Sequence, residues 1–171
     1  MRFLVISDSH GRYERISELL SMHRSIDALI FLGDGLSDLE RAGAYESGAT
    51  VFAVKGNCDW SSFLGTSRAE DEMLLNFEGC RFLLMHGHTR GVKHGLTNAI
   101  YAAQERGADI LLFGHTHEPL EKYIPDGNEY SLEKPMRIFN PGSLGASGDG
   151  WGYFGLIEIR GKDILMSHGK I

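Results

Sequence analysis

The sequence predicts an α/β fold in which two mixed β-sheets pack face to face and helices cover their outer faces, as a four-layer α/β/β/α sandwich. Three observations predict it: the first third alternates apolar strands with amphipathic helices, the middle contains a hairpin pattern, and the last third holds short strands separated by glycine turns. A chain of 171 residues can bury one core without disulfides or metal staples. We therefore expect a single domain over residues 1–171.

The first third has the pattern of parallel strands joined by helices. Its apolar runs cover residues 3–6, 28–32 and 51–54. Between them, apolar residues recur at helical spacing over residues 12–23, and a shorter helix is predicted over residues 37–44 with Ser37 as its N-cap. Strands that are apolar throughout and separated by helices indicate a parallel sheet covered on both faces.

The rest of the chain predicts a hairpin, a further helix and strand, and an antiparallel tail. Two apolar runs, over residues 73–77 and 81–85, flank Glu78-Gly79-Cys80, which is a hairpin signal. A helix fits residues 95–105 and a buried strand fits residues 109–113. The last short strand patterns, separated by glycines, cover residues 138–139, 153–159 and 163–166.

Composition narrows the location and the class of partner. The formal charge of −6 gives no basic footprint for duplex nucleic acid, and no apolar run approaches the roughly 18 residues of a membrane span. The first apolar run is also too short for a signal-peptide core. Cys58 and Cys80 lack C-x-x-C spacing, which favours a reducing compartment. We expect a soluble cytoplasmic protein that binds neither a membrane nor duplex nucleic acid, and we leave open a homo-oligomer.

The stretch Gly114-His115-Thr116-His117 directly follows a buried apolar run. In extended backbone, imidazoles at positions i and i+2 share a face, and neutral imidazoles are good metal ligands. Taken alone, the pair is better explained as two loop histidines that bind nothing. The pair gains weight because other apolar runs end in the same way.

Five apolar runs each end in residues of the metal-ligand type. In chain order these are Asp8 and His10, Asp34, Asn57, His86 and His88, and His115 and His117. A single aspartate of this kind is as compatible with a turn or a helix cap as with a site. In open α/β sheets, however, the ligand site lies beyond the carboxyl ends of the strands, so the repeated position predicts that these side chains converge.

The chemistry of this set indicates two divalent cations. Aspartate, histidine and asparagine without thiolates suit Mn²⁺, Fe²⁺ or Zn²⁺, and there are more ligands than one ion needs. A shared carboxylate can hold two cations about 3.5–4 Å apart, where they clamp a phosphoryl group and lower the pKa of a bound water towards about 7. Such a site needs no serine or cysteine nucleophile.

The motifs resemble those of the calcineurin-like metallophosphoesterases. In family order they are Asp8-x-His10, Gly33-Asp34, Gly56-Asn57, His86-Gly87-His88 and Gly114-His115-Thr116-His117. The resemblance covers most of the chain. It includes Asn140-Pro141-Gly142-Ser143, which is typical of the small bacterial and archaeal phosphodiesterase branch that is related in fold to Vps29.

This resemblance implies a metallophosphoesterase fold and a metal-dependent phosphodiesterase. It implies that a hydroxide activated between two divalent ions attacks a small phosphodiester, with Mn²⁺ as the first candidate and Ni²⁺, Fe²⁺ or Zn²⁺ as alternatives. By the same resemblance, one ion is held by Asp8, His10 and His117. The other is held by Asn57, His86 and His115, and Asp34 bridges both.

The sequence departs from the wider family after the third strand, where Gly-Asn-His is usual and Gly56-Asn57-Cys58-Asp59 occurs. The missing histidine is commonly assigned to protonating the leaving group, and a neutral thiol is a poorer acid for that step. Asn57, Cys58 and His88 are the candidate catalytic residues. His88 either orients a phosphate oxygen or packs, and Asp59 either stabilises its loop or acts in the site.

Several other residues are weaker candidates. Lys55, Arg90 and Lys93 lie near site loops in the sequence and either contact phosphate oxygens or are solvated surface charges. The aromatic residues Trp60, Phe63 and Trp151 either flank an open cleft or, as we expect, pack in the core or an interface.

Two alternative functions are compatible with parts of the pattern. A protein-interaction scaffold of the Vps29 type with residual metal binding would keep the fold without the chemistry. A phosphoaccepting receiver that uses Asp8 or Asp34 would leave the histidines unexplained. The complete ligand set favours the hydrolase.

Overall fold

The computed structural model describes residues 1–60, 63–64, 67–127, 129–145, 147–161 and 163–171, with the backbone alone for 63–64 and 67–68. The elements along the chain are β1 (Arg2–Ile6), α1 (Tyr13–Met22), β2 (Ala28–Phe31), α2 (Leu36–Arg41), β3 (Thr50–Ala53), β4 (Phe63–Leu64), β5 (Ser67–Arg68), β6 (Glu72–Phe77), β7 (Cys80–Met85), α3 (Thr97–Glu105), β8 (Ile110–Phe113), β9 (Leu120–Ile124), β10 (Met136–Asn140), β11 (Tyr153–Arg160) and β12 (Asp163–Lys170). Short 3₁₀ helices cover Ala44–Glu46, His88–Arg90 and Val92–His94.

The first sheet has five strands in the order β12-β11-β1-β2-β3. β1, β2 and β3 are parallel, with Val5 opposite Ile30 and Ile30 opposite Phe52. The two C-terminal strands extend this sheet antiparallel, beginning with β11 beside β1. The predicted parallel arrangement of the first third is therefore confirmed.

The second sheet has five strands in the order β6-β7-β8-β10-β9. The predicted hairpin is confirmed, because β6 and β7 are antiparallel with Phe77 opposite Cys80. The expectation that the whole tail is antiparallel is wrong for β10, which runs parallel to β8 with Ile138 opposite Leu111. β9 has no separate sequence prediction because most of its residues are exposed, so that it presents no apolar run.

Three apolar clusters separate four layers. Along β1, Phe3 and Val5 face the cluster between the two sheets, whereas Leu4 and Ile6 face the cluster that contains helix residues such as Leu19. On the far side of the second sheet, a third cluster joins β7 and β8 to α3. Since successive side chains of a strand point to opposite faces, strands that are apolar throughout serve two clusters at once. The predicted α/β/β/α sandwich is confirmed.

The helices begin later or end earlier than their sequence patterns. α2 ends at Arg41 rather than at residue 44, and a 3₁₀ turn follows it. The N-cap prediction for Ser37 is wrong: the helix begins at Leu36, and the backbone N–H groups of Gly35 and Leu36 donate to the carboxylate of Asp59. None of the described helices has the length and apolar character needed to cross a membrane.

Candidate metal centre

The residues predicted as ligands gather at one edge of the sandwich, beyond the carboxyl ends of β1, β2, β3, β7 and β8. Two contacts join the loops of the two sheets at this edge. His86 Nδ1 lies 2.7 Å from the carbonyl oxygen of Leu32, which ends the β2 run. The backbone N–H of His115, which follows β8, donates over 3.1 Å to Oδ2 of Asp8, which follows β1. The edge is therefore built from both sheets, which brings all the predicted ligands into one crevice.

Left-handed backbone turns the ligand side chains into this crevice. Positive φ angles occur at five of the ligand residues: Asp8 (54°), His10 (45°), Asp34 (61°), His115 (67°) and His117 (65°). Among the described non-glycine residues, only Glu78 and Ser131 share this conformation. It costs about 1–3 kcal/mol per residue, and such costs cluster at functional sites. β8 ends at Phe113, so His115 and His117 lie in a loop, as predicted, and not on one face of an extended strand.

The glycines that precede several ligands are required by close approach of the loops. A Cβ atom on Gly56 would lie 2.1 Å from Asp34 Oδ1, and one on Gly114 would lie 2.0 Å from Ser7 Oγ. Both distances are far shorter than van der Waals contact. The Gly-Asn and Gly-His steps of the motifs therefore allow neighbouring loops to pack directly against one another.

Asp8, His10 and His117 form the first group of ligand atoms. His117 Nε2 lies 3.2 Å and His10 Nε2 lies 3.8 Å from Asp8 Oδ1, and the two imidazole nitrogens are 3.3 Å apart. Asp8 Oδ2 accepts hydrogen bonds from Ser7 Oγ and from the backbone N–H of His115. Within the described part of the chain, Oδ1 is buried and accepts none. One carboxylate oxygen is thus oriented by the protein while the other faces the imidazoles.

Asp34, His86 and His115 form the second group. His86 Nε2 lies 3.5 Å from Asp34 Oδ2, 3.1 Å from His115 Nδ1 and 3.2 Å from Asn57 Oδ1. Because His86 Nδ1 donates to the Leu32 carbonyl, the hydrogen-bond network assigns the proton to Nδ1 and directs Nε2 into the site. Asp34 Oδ2 is also 4.0 Å from His10 Nε2, so this carboxylate lies between the groups.

The charges of the site act on its histidines in opposite directions. Burial by itself lowers the pKa of His86, but the hydrogen bond with Asp34 and the charges of Asp8 and Asp34 raise it overall. Burial, together with His86 and Lys93, lowers the pKa of His115 to about 4. Burial would raise the pKa of Asp34, yet contacts with His86 and the Cys58 N–H lower it. His115 is thus neutral and Asp34 ionised at neutral pH, the forms that bind a metal ion.

These residues fit a pair of divalent cations. The donor atoms are carboxylate oxygens, imidazole nitrogens and an amide oxygen, a set that suits hard or borderline divalent metals. They converge in two groups that Asp34 connects, and a buried carboxylate oxygen without a hydrogen bond is costly unless another partner satisfies it. His115 and His117 belong to different groups.

Cys58, a predicted catalytic residue, lies among the ligand atoms. Its sulfur groups with His10 and Asp34, and its backbone N–H donates to Asp34 Oδ1 over 2.7 Å. Partial burial and the neighbouring Asp34 carboxylate raise the pKa of the thiol to about 11. Cys58 is therefore a neutral thiol at physiological pH.

His88 lies beside the second group rather than in it. Its ring centroid is 5.3 Å from that of His86 and 6.2 Å from that of His115. Burial and the proximity of His86 lower its pKa, so the ring is neutral. Its Nδ1 atom is buried and has no hydrogen-bond partner among the described residues.

The three basic residues that were weaker candidates differ in their contacts. Arg90 donates twice to the Glu72 carboxylate, over 2.6 and 3.1 Å, so its guanidinium is engaged in a structural ion pair. The positive charges of Lys93 and Lys55 reach the site, because they help to lower the pKa values of His115 and His88, respectively.

The expectation of core packing is wrong for both tryptophans, and their packing in an interface stays a prediction. Trp60 is 97% exposed, and Trp151 is 47% exposed with Lys170 Nζ 4.6 Å from its ring centroid. The side chain of Phe63 lies outside the described residues.

Two residues hold the ligand loops: Asn140, which had no predicted role of its own, and Asp59, for which loop stabilisation was one of two sequence predictions. Asn140 donates from its amide nitrogen to the carbonyl of Gly114 and to Thr116 Oγ1, each over 3.0 Å, and so orients the loop that carries His115 and His117. Asp59 accepts hydrogen bonds from the loops that carry Asp34 and Asn57. The sequence signal for these roles was the presence of the two residues in the motifs Asn140-Pro141-Gly142-Ser143 and Gly56-Asn57-Cys58-Asp59.

Comparison with known proteins assigns the class. Residues 1–162 match the calcineurin-like phosphoesterase superfamily domain. The probable metallophosphoesterase YsnB of Bacillus subtilis is 39% identical over 146 residues, which cover 84% of this chain and 75% of YsnB. The chain therefore belongs to the calcineurin-like phosphoesterase superfamily.

Solved structures share the fold at lower identity. A structure described as a novel archaeal phosphodiesterase has a TM-score of 0.71 at 18% identity and covers 98% of this chain and 99% of its own. Wild-type Vps29 of Entamoeba histolytica complexed with Zn²⁺ has a TM-score of 0.69 at 20% identity, with coverage of 100% and 98%. Enzymes and a Vps29 protein thus share this architecture.

Proposed function

We propose that this protein is a phosphodiesterase that acts on a small phosphodiester with two divalent cations. The observation that carries the proposal is the presence of two groups of ligand atoms connected by Asp34, together with the buried Asp8 oxygen that accepts no hydrogen bond within the described residues. The likeness to YsnB and to the fold of an archaeal phosphodiesterase supports the same class.

The grouping of donor atoms supports the ligand assignment implied by the sequence motifs. Asp8, His10 and His117 hold one ion. Asn57, His86 and His115 hold the other, and Asp34 lies between them. Mn²⁺ is the first candidate metal, with Ni²⁺, Fe²⁺ and Zn²⁺ as alternatives.

When bound, the two ions supply Lewis-acid activation of the phosphoryl group and a hydroxide nucleophile at neutral pH. The protein contributes the orientation of its ligands. The Leu32 carbonyl fixes the His86 ring and Asn140 fixes the loop of His115 and His117. Rigid support of this kind is what gives a metal site its affinity and geometry.

Asn57, Cys58 and His88, at the margin of the two groups, are the residues that we expect to act on the substrate. The Asn57 amide nitrogen contacts Cys58 Sγ over 3.2 Å, and the neutral His88 ring can donate a hydrogen bond to a phosphate oxygen. A thiol with a pKa of about 11 is a weak acid for a leaving alkoxide. We therefore expect efficient cleavage of diesters with good leaving groups.

A chelation and mutation experiment tests the proposal. After chelation, hydrolysis of bis(p-nitrophenyl) phosphate should disappear and should return when Mn²⁺ is added. Asp34→Asn should lower kcat by a factor of about 100 or more, because it weakens the ligand shared by both ions. Asp109→Asn is the matched control, because Asp109 supports the opposite edge of the sheet. Full activity after chelation, or unchanged turnover by Asp34→Asn, would refute the mechanism.

A scaffold of the Vps29 type with residual metal binding is the second candidate. The Zn²⁺ complex of Entamoeba Vps29 supports this candidate, because it is a protein of this fold that binds a metal ion and is not described as a phosphodiesterase. Metal binding alone therefore does not separate the two functions. Turnover does: a panel of cyclic nucleotides, dinucleotides and glycerophosphodiesters should yield a substrate with Mn²⁺, Ni²⁺ or Zn²⁺. A metal-loaded protein that cleaves none of them would favour the scaffold.

A further inference from the structure

The carboxylate of Asp59 lies directly behind the ligand residues and accepts hydrogen bonds from four backbone N–H groups. Oδ2 accepts from Asp34 and Gly56, each over 2.8 Å. Oδ1 accepts from Gly35 over 2.8 Å and from Leu36 over 2.9 Å. Asp59 is 8% exposed. One buried side chain thus holds both the loop after β2 and the loop after β3.

The four hydrogen bonds match the chemistry of an ionised carboxylate. A carboxylate offers about four acceptor sites and no donor, and bonds to a charged acceptor are roughly twice as strong as neutral ones. The donors come from a strained segment, since Asp34 has φ 61° and Gly35 has φ 143°. Asp59 therefore stabilises a backbone conformation of the loop after β2 that is strained at Asp34.

The contacts close a ring between the two loops. Asp59 binds the N–H groups of Asp34 and Gly56, and Asp34 Oδ1 in turn accepts from the N–H of Cys58. Asn57 lies between Gly56 and Cys58 in the chain, so its backbone is held from both sides. The relative position of Asp34 and Asn57 consequently depends on Asp59.

We propose that Asp59 is a positioning residue that sets the geometry of the bridging Asp34 carboxylate relative to Asn57 and thereby the affinity of the site for its pair of ions. The inference rests on the ligand assignment of the proposed function. Asp59 does not itself reach the ions in this role. It acts through the backbone of the residues that do.

Asparagine is the informative substitution because it has the same shape but cannot make the same contacts. Each Asp59 oxygen accepts from two N–H groups. In either orientation of an asparagine amide, its NH₂ group would face two backbone donors. One pair of loop contacts is therefore lost whichever way the amide turns: either the ring opens at Asp34 and Gly56, or Gly35 and Leu36 at the start of α2 lose their acceptor.

Mn²⁺ titration by isothermal calorimetry tests the proposal without any assay of turnover. Asp59→Asn should weaken the binding of at least one ion about 10-fold to 100-fold, the range seen when residues that support metal ligands are changed. Asp109→Asn is the matched control. Asp109 also accepts a backbone N–H, from Arg81 over 2.7 Å, but at the opposite edge, so this variant should keep wild-type affinity. Wild-type affinity of Asp59→Asn for both ions would overturn the proposal.

Hydrogen exchange of the metal-free wild-type protein keeps the test independent of whether Asp59→Asn folds. The amides of Asp34, Gly35, Leu36 and Gly56 should exchange slowly before any metal is added, because Asp59 already binds them. Exchange at the rates of an open loop would contradict a preorganising role. If Asp59→Asn loses affinity but the wild-type protein cleaves no diester, the phosphodiesterase function is rejected and the positioning role is supported. If the wild-type protein cleaves diesters but Asp59→Asn keeps its affinity, only the positioning role is rejected.

Discussion

The two edges of the β-sandwich differ in which residues adopt left-handed backbone and in how their carboxylates are hydrogen-bonded. At the ligand edge, left-handed conformations are adopted by aspartates and histidines such as Asp34 and His115. At the opposite edge, the β6–β7 and β11–β12 turns place Gly79 and Gly161 at positive φ, and Glu78 is the one non-glycine residue of these two turns, among those described, that shares this conformation. Glycine carries no steric penalty there, whereas the other residues do.

The carboxylates show the same contrast. Asp109, at the opposite edge, is fully engaged by Lys134 and the backbone N–H of Arg81. Asp8, at the ligand edge, keeps one buried oxygen without a hydrogen bond from any described residue. The opposite edge is thus built for stability, whereas the ligand edge gives up stability for the ability to bind cations.

The largest effect on turnover is expected when a histidine of the ligand edge is removed. His115→Ala and His117→Ala should each lower turnover about 100-fold or more and should each leave one ion bound, because the two imidazoles belong to different groups. Metal analysis and calorimetry measure the stoichiometry. His94→Ala, an exposed histidine in neither group, should retain both ions. A structure with both imidazoles on one ion would overturn the assignment.

A smaller effect is expected at Cys58, which tests whether the ligand edge lacks a good acid. Cys58→His should raise the rate on alkyl diesters by about 10-fold or more, since an imidazole donates a proton near neutral pH far better than a thiol with a pKa of about 11. Cleavage of p-nitrophenyl diesters should change little. The measurement is the ratio of kcat on the two substrates. Equal wild-type rates on both classes would show that acid catalysis is not impaired.

The smallest effect is expected on the free energy of unfolding, when backbone strain at a ligand residue is relieved. His10 has φ 45°, so in the metal-free protein His10→Gly should keep or raise the free energy of unfolding, by up to about 1 kcal/mol, while it weakens metal binding. Glu78→Gly is the matched variant at the opposite edge, where φ is 52°, and it should change stability in the same direction without affecting the metal. Denaturant unfolding with and without Mn²⁺ checks both. A marked loss of stability in metal-free His10→Gly would argue against strain at this position.

Much of the architecture follows from local patterns. The apolar runs of β1, β2 and β8 predicted buried strands because each contributes side chains to two clusters. β9 gave no such pattern because only its last residue, Ile124, is buried. The parallel pairing of β10 with β8 was not predictable from short alternating segments, since alternation reports exposure of a face and not the direction of a neighbour.

The sequence by itself determined the layers of the sandwich and the chemical types of the ligands, because apolar periodicity and side-chain identity are local properties. The tertiary structure decided the contacts that surround those ligands. It leaves one Asp8 oxygen without a hydrogen bond from the described residues, and it replaces the predicted Ser37 cap with the carboxylate of Asp59. These features depend on strand order and on contacts between loops that are distant along the chain, and no local pattern encodes them.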